Sequence, residues 1–166
     1  MFWTIFRLAP LSVAIFLPLA VLLWLATLLA FILSPFIAAI SIATGKNIVG
    51  GPLSYLTTHN ATLDGGIDQG VIGYEPNLSG WRLWWQRTCW VCRNPAYKFA
   101  ALVLGFPTEG SKVVFEAGSK DKPYSYWSVV QAANGRRYFG YRGGGTWIGW
   151  NYRPYGGWHQ LQAKPF

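Results

Sequence analysis

The stretch Leu8–Ala43 decides the fold, and it reads LAPLSVAIFLPLAVLLWLATLLAFILSPFIAAISIA. No charged residue lies between Arg7 and Lys46. A helix of about 20 apolar residues is enough to cross the roughly 30 Å hydrocarbon core of a bilayer. The stretch is longer than this, so we expect an N-terminal transmembrane helix and a membrane location.

Two other kinds of segment share part of this pattern. The buried core helix of a soluble protein is usually shorter and carries polar positions. A cleaved signal peptide has an apolar region of about 7–15 residues before a small-residue cleavage site. Only Ala38-Ala39 and Ala43 resemble such a site here. An uncleaved anchor fits the length best.

The prolines leave the number of crossings open. A single tilted helix over about residues 11–33, ended by Pro35 and followed by an interfacial extension, fits the run. Ser34 and Pro35 also suit the turn of a hairpin with two short arms. Pro10 and Pro18 are expected to kink the first half, because proline removes a backbone donor. We favour one long, kinked helix.

The charge of the chain is strongly basic. It carries 14 Lys and Arg against 6 Asp and Glu, a net charge of +8, and 17% of its residues are aromatic. Such a composition suits either anionic lipid headgroups or nucleic acid as the partner. The anchor favours lipid, because it would hold the charges at a membrane surface.

We expect four segments along the chain. They are a transmembrane anchor over 1–45, a Gly-rich hinge and acidic loop over 46–80, an amphipathic helical segment over 81–106 and a β-rich domain over 107–166. The predicted fold class is therefore α+β.

Residues 53–80 are dense in turn-forming residues and are predicted to be a long loop. The loop collects His59, Asp64, Asp68 and Glu75. Carboxylates near a glycine turn can hold calcium, but the spacing of an EF-hand is absent. We favour acids that cap turns and helix ends, and we expect no metal and no cofactor.

The next segment, WRLWWQRTCWVCR, predicts a helix over 81–93 with Ser79 as its N-cap and Asn94-Pro95 as its end. At 100° per residue one side collects Trp81, Trp84, Trp85, Thr88, Val91 and Cys92, and the other collects Arg82, Gln86 and Arg93. A helix lying in the membrane interface has this character, and so does an ordinary helix covering a small core. On the first interpretation the lipid contacts are Trp81, Arg82, Trp84, Trp85 and Arg93.

Cys89 and Cys92 form a lone C-x-x-C pair. A zinc site would need both histidines as well, and a redox site would need a thioredoxin-like context that is not evident. On a helix the two thiols share one face as small apolar groups. We favour structural thiols over a disulfide or redox pair, and zinc comes last.

The rest of the chain predicts a small antiparallel β-meander. Asn134-Gly135 is its strongest hairpin signal. Aromatic and β-branched runs between turn residues mark the strands, with a last element near His159–Ala163: Lys112–Glu116, Tyr124–Gln131, Arg137–Arg142 and Thr146–Arg153.

Arg93-Asn94-Pro95-Ala96-Tyr97 is expected to have a structural role. Pro95 disfavours helical geometry at Asn94, whose amide is placed to satisfy free carbonyls of the preceding helix. Arg93 is expected to pair with an acid of the loop, with Glu75 first and Asp64 second.

Three short motifs carry a resemblance. The motifs L-D-G (Leu63–Gly65), Y-E-P (Tyr74–Pro76) and R-N-P-A-Y (Arg93–Tyr97), with a Trp-rich helix behind an apolar N-terminus, resemble small uncharacterised membrane-associated proteins of tailed bacteriophages. The resemblance covers about residues 10 to 105 and departs at Thr57-Thr58-His59-Asn60, where the family-like form carries T-P-D. It implies a phage origin and a place in the host bacterial inner membrane, but no chemistry.

Two functional hypotheses follow. The first is a non-enzymatic membrane-anchored phage protein that binds the lipid bilayer and a host or phage membrane protein, or that is a membrane component of the virion. The second is a membrane-surface hydrolase that uses His59 with Asp64, Asp68 or Glu75 as acid–base groups. Convergence of these four side chains around one site would favour the enzyme.

Overall fold

The computed structural model describes residues 1–106, 109–121, 125–143 and 146–150. The protein is α+β, with its helices in the N-terminal part and an antiparallel sheet after them. The helices are α1 (Phe2–Leu8), α2 (Pro10–Ala43), a 3-10 helix (Gly51–Leu56), α3 (Gly65–Asp68), α4 (Gly80–Arg93) and α5 (Tyr97–Leu104).

From Pro10 to Ala43 the long apolar stretch forms one uninterrupted helix, α2. Within the described ranges it is the one helix long and apolar enough to cross a membrane, by length and composition. The favoured single long helix is confirmed, whereas the end placed at Pro35 and the alternative hairpin are wrong. Pro35 lacks the N–H that would bond the carbonyl of Phe31, but the hydroxyl of Ser34 donates to that carbonyl at 2.8 Å. Because the free acceptor is satisfied locally, the helix continues through the proline.

Four strands form an antiparallel meander in chain order, as predicted. They are β1 (Lys112–Ser119), β2 (Ser125–Gln131), β3 (Arg137–Gly143) and β4 (Thr146–Gly149). Asn134-Gly135 lies in the turn between β2 and β3, where Gly135 has a φ of +81° that glycine adopts without strain. The element expected near His159–Ala163 lies outside the described residues.

The chain divides into two compact units, and the first contains residues 1–22 with the described residues from Ala100 onward. In this unit the start of α2 packs on the sheet. The rings of Phe16 and Phe139 meet edge to face at 5.2 Å, and the Trp150 indole N–H donates to the carbonyl of Ser12 at 3.1 Å.

The second unit contains Leu23–Phe99. The predicted long loop is not structureless, because it contains the end of the 3-10 helix and α3, and Thr62 bridges to Ile48. The core of this unit joins α2, the loop and α4 through a set of buried apolar side chains: Ala30, Ile37, Val49, Leu56, Leu63, Val91 and Ala96.

Candidate functional site

One side of α2 presents a continuous apolar surface, which we call the outer face. Its large side chains are between 42% and 64% exposed, and they recur along almost the whole helix. None of these side chains is charged, and only the indole of Trp24 carries a hydrogen-bonding group. The outer face comprises Leu11, Ile15, Leu17, Val21, Leu22, Trp24, Leu25, Leu28, Leu29, Ile32, Phe36 and Ile40.

The opposite side of α2 is buried and includes small and hydroxyl-bearing side chains. In the second unit the buried positions recur every three or four residues and form one stripe: Leu23, Thr27, Ala30, Ser34, Ile37 and Ser41. A helix of a water-soluble protein has the reverse arrangement, with its polar residues outside. Small and hydroxyl residues on the protein-facing side are typical of helices packed in a bilayer.

Helix α4 begins after Ser79 and ends before Asn94, as the sequence predicts, but the side chain of Ser79 makes no capping hydrogen bond. Its first turns lie against α2, because the indole N–H of Trp84 donates to the carbonyl of Pro35 at 2.8 Å. Trp81 and Trp85, one turn apart, are 75% and 47% exposed. The helix therefore presents two indoles outward beside the point where α2 contains its last proline.

The predicted division of α4 into an apolar and a polar side is wrong at Gln86. This side chain is buried, because its amide bonds both backbone groups of Glu75. The N–H of Glu75 donates to Oε1 of Gln86 at 2.9 Å, and Nε2 of Gln86 donates to the carbonyl of Glu75 at 3.1 Å. Helical periodicity alone cannot reveal such a pairing, since it depends on a loop segment folding over the helix.

A bidentate ion pair joins Arg87 to Asp64 in the second unit. Nε of Arg87 donates to Oδ1 at 2.9 Å and Nη2 donates to Oδ2 at 2.8 Å. Nη1 donates to the hydroxyl of Ser41 at 3.1 Å, near the end of α2. The side chains of the pair are only 8% and 18% exposed. This geometry fixes the acidic loop to α4 and α2 at once.

The predicted pairing of Arg93 with an acid of the loop is wrong. Asp64 pairs with Arg87, and Glu75 pairs with Arg82 at 3.2 Å. Arg93 is half-buried at the last position of α4 and makes no ion pair with an acid of the described residues. Arg87 lies six residues earlier, on the side of α4 that is buried, and no local sequence signal marked it.

Two glycines of the L-D-G-G segment allow aromatic rings to lie directly on the backbone. A Cβ on Gly65 would lie 2.7 Å from Cζ2 of Trp90, and one on Gly66 would lie 2.3 Å from Cδ1 of Tyr74. The rings of Tyr74 and Trp90 meet edge to face at 5.3 Å. Burial raises the pKa of Tyr74 to about 12, against the opposing charge of Arg93. The L-D-G and Y-E-P motifs thus meet around α4.

The R-N-P-A-Y motif closes α4 and turns the chain into α5. Nδ2 of Asn94 donates to the carbonyl of Trp90 at 3.2 Å, which confirms the predicted capping by its amide. Pro95 is buried, and Ala96 has a φ of +52° while its N–H donates to the carbonyl of Leu56 at 2.9 Å. Tyr97 is half-buried at the first position of α5. The motif is a structural corner.

The four weak catalytic candidates lie in different settings. His59 and Asp68 are exposed, while Asp64 and Glu75 are each bonded to an arginine. No hydrogen bond or ion pair in residues 1–106 joins any two of the four. The described part of the chain also contains no group of three or more His, Cys, Asp and Glu that could hold a metal.

Both cysteines of the C-x-x-C pair are free thiols. Sγ of Cys92 lies 3.2 Å from the hydroxyl of Ser34, so this face of α4 packs on α2. Burial, followed by the proximity of Cys92, raises the pKa of Cys89 to about 11. Cys89 therefore acts as a small packing group and not as a nucleophile, because its thiolate is disfavoured.

Comparison with known proteins gives one match. No curated protein and no solved structure matches the sequence. Residues 7–165 match the family described as "Family of unknown function (DUF7338)". The matched residues include α2, the acidic loop, α4 and the sheet. Because the match extends over nearly the whole sequence, the chain belongs to this family.

Proposed function

We propose that this protein is a membrane-anchored, non-enzymatic protein of a tailed bacteriophage, held by α2 in the inner membrane of the host bacterium. It acts there by binding another membrane protein of the host or the phage, or as a membrane component of the virion. The observation that carries the proposal is the outer face of α2, which is apolar along the helix while the buried side contains the hydroxyl groups.

The size of the outer face supports lipid as its environment. Each large aliphatic side chain gains roughly 1.5–3 kcal/mol when it leaves water. Soluble monomers rarely expose contiguous apolar patches beyond a few hundred Å². The outer face instead has twelve large apolar side chains, each 42–64% exposed, along a 34-residue helix. The net charge of +8 would add attraction to anionic headgroups.

The contacts of the acidic loop favour a structural role for its carboxylates over a catalytic role. Both carboxylate oxygens of Asp64 accept hydrogen bonds from Arg87, so this group is not available as a general base. Glu75 is held through its backbone by Gln86 and through its side chain by Arg82. The phage origin rests on the resemblance of three short motifs to phage proteins. In this structure the residues of those motifs make the contacts that hold the second unit together.

Fractionation of cells that express the full-length protein tests the anchoring. We expect the protein to sediment with membranes and to resist extraction by carbonate and by high salt. Recovery of the full-length protein in the soluble fraction without detergent would overturn the proposal.

A matched pair of variants sharpens this test. Leu25→Lys places a charge at the middle of the outer face, while Ile72→Lys places one on a loop residue that is 95% exposed. A lysine at the centre of a membrane helix costs about 2.5–3.5 kcal/mol, so Leu25→Lys should reduce membrane retention and Ile72→Lys should not. If Leu25→Lys instead raises the soluble yield of folded protein, α2 faces water.

A double variant tests the non-enzymatic part. His59→Ala with Asp68→Asn changes two exposed side chains outside the ion pairs of the second unit. Phage carrying it should grow on the host as the parent does. A folded, membrane-retained double variant that abolishes growth would favour the hydrolase.

A further inference from the structure

We infer that the first turns of α4 form a binding site for anionic phospholipid headgroups, at the level of Pro35 on α2. The site consists of Trp81, Arg82 and Trp85. This inference rests on the proposed membrane anchoring. It adds that these three residues contact the headgroups and that the hydrocarbon core ends near Pro35 of α2.

Contacts in the second unit fix the position of the site. The Trp84 indole is bonded to the carbonyl of Pro35, and the ring of Trp85 lies 6.3 Å from that of Trp84. Phe36, the residue after Pro35, belongs to the outer face of α2. The exposed indoles of α4 therefore stand beside the apolar surface that we place in lipid.

The residue types match the chemistry of the headgroup boundary. Tryptophan concentrates at membrane interfaces, because its ring is apolar while its N–H needs a polar partner. A guanidinium binds a phosphate through two parallel charged hydrogen bonds, which fixes orientation as well as charge. Arg82 is flanked on the same turns by the two exposed indoles, so one residue set offers both the apolar and the ionic contact.

Glu75 acts at this site as an internal competitor. It pairs with Arg82 at 3.2 Å, and the side chains are 57% and 61% exposed. Such exposed pairs contribute little, so a lipid phosphate can replace the carboxylate. Gln86 holds the backbone of Glu75 by two hydrogen bonds, which keeps the acid next to Arg82 whether or not lipid is bound.

The position of Pro35 along α2 agrees with the thickness of a bilayer. Phe16 packs on the sheet, so the part of α2 available to the hydrocarbon runs from about residue 17 to Ser34. These roughly 18 residues rise about 27 Å, which a hydrocarbon core of about 30 Å accommodates with little tilt. The remainder of α2 then lies at the membrane surface together with α4.

Fluorine NMR of the full-length protein in nanodiscs tests the placement. The protein is labelled with 5-fluorotryptophan, and single Trp→Phe variants assign the resonances of Trp24, Trp81, Trp85 and Trp90. Lipids with a nitroxide near the headgroup should broaden Trp81 and Trp85. Lipids with a nitroxide deep in the acyl chain should broaden Trp24, while Trp90, which is buried in the second unit, serves as the unbroadened reference.

The Trp24 resonance distinguishes failure of the headgroup site from failure of the anchoring proposal. If Trp24 responds to lipid labels but Trp81 and Trp85 respond only to a water-soluble relaxation agent, the headgroup site is wrong and the anchor stands. If none of the three responds to lipid labels, the anchoring proposal falls and the site falls with it.

Lipid selectivity tests the ionic contact. In nanodiscs of mixed phosphatidylcholine and phosphatidylglycerol, native mass spectrometry counts the phosphatidylglycerol retained by the protein. Arg82→Gln should reduce retention and Glu75→Gln should raise it, each by up to about fivefold, the scale of an exposed ion pair. Arg136→Gln, at an exposed position in the turn between β2 and β3, is the control and should change little. Equal losses for Arg82→Gln and Arg136→Gln would show attraction by net charge alone and would overturn the site.

Discussion

Arg87 and Asp64 form a bidentate ion pair, with Nε–Oδ1 at 2.9 Å and Nη2–Oδ2 at 2.8 Å. They are 23 residues apart in the chain. The same guanidinium also bonds the hydroxyl of Ser41, so a single side chain joins α4, the acidic loop and the end of α2.

Removing Arg87 should therefore be much more damaging than removing Arg82. Arg87→Ala leaves a nearly buried carboxylate unpaired, for which we expect a loss of about 3–5 kcal/mol in the free energy of unfolding. Arg82→Ala breaks an exposed pair and should cost ~0–1 kcal/mol. Chemical denaturation in detergent micelles, followed by tryptophan fluorescence, measures both. Similar losses for the two variants would contradict the assigned role of Arg87.

Ser34 and Pro35 should be energetically coupled. In the wild type, Ser34→Ala removes the donor that satisfies the carbonyl of Phe31, and we expect a cost of about 1 kcal/mol. In a Pro35→Ala background the alanine N–H can bond that carbonyl, so the same substitution should cost less. A double-mutant cycle on unfolding free energies measures the coupling. Additive effects would show that the serine does not compensate for the proline.

Cys89 should make stability fall at alkaline pH. Its pKa is about 11 in the folded protein against an ordinary value of 9.0, so the folded state holds the proton more tightly. This contribution is fully present below about pH 9 and is lost as the pH rises towards 11. Unfolding free energies from about pH 8 to about pH 10.5 should fall more steeply for the wild type than for Cys89→Ala. Parallel curves would show that the thiol does not titrate in this way.

Short-range patterns predicted the elements of the fold well. The structure agrees with the predicted strand starts at Lys112 and Arg137 and with the turn at Asn134-Gly135. It also agrees with the predicted ends of α4 at Ser79 and Asn94. Each of these depends on residues within a few positions of one another, where backbone preferences act directly. Pro35 misled the prediction because a neighbouring serine offset its missing donor.

The contacts of the acidic loop were not predictable in the same way. Arg87, Arg82 and Arg93 are alike as residue types, and all three lie on one helix. Which of them meets Asp64 depends on how Gly65 and Gly66 let the loop lie on Trp90 and Tyr74. The buried position of Gln86 has the same origin, since its partner is the backbone of Glu75.

The sequence by itself determined that α2 is a long apolar helix and that a four-stranded meander follows it, because both depend on the periodicity and turn residues of continuous segments. Only the tertiary structure decided which side of α2 is covered and which arginine is buried. The sequence of α2 is apolar all around, so its outer face is defined by the segments that pack on the other side. Arg87 is buried because Asp64 and Ser41 supply its hydrogen bonds there, and these partners meet only when the chain has folded.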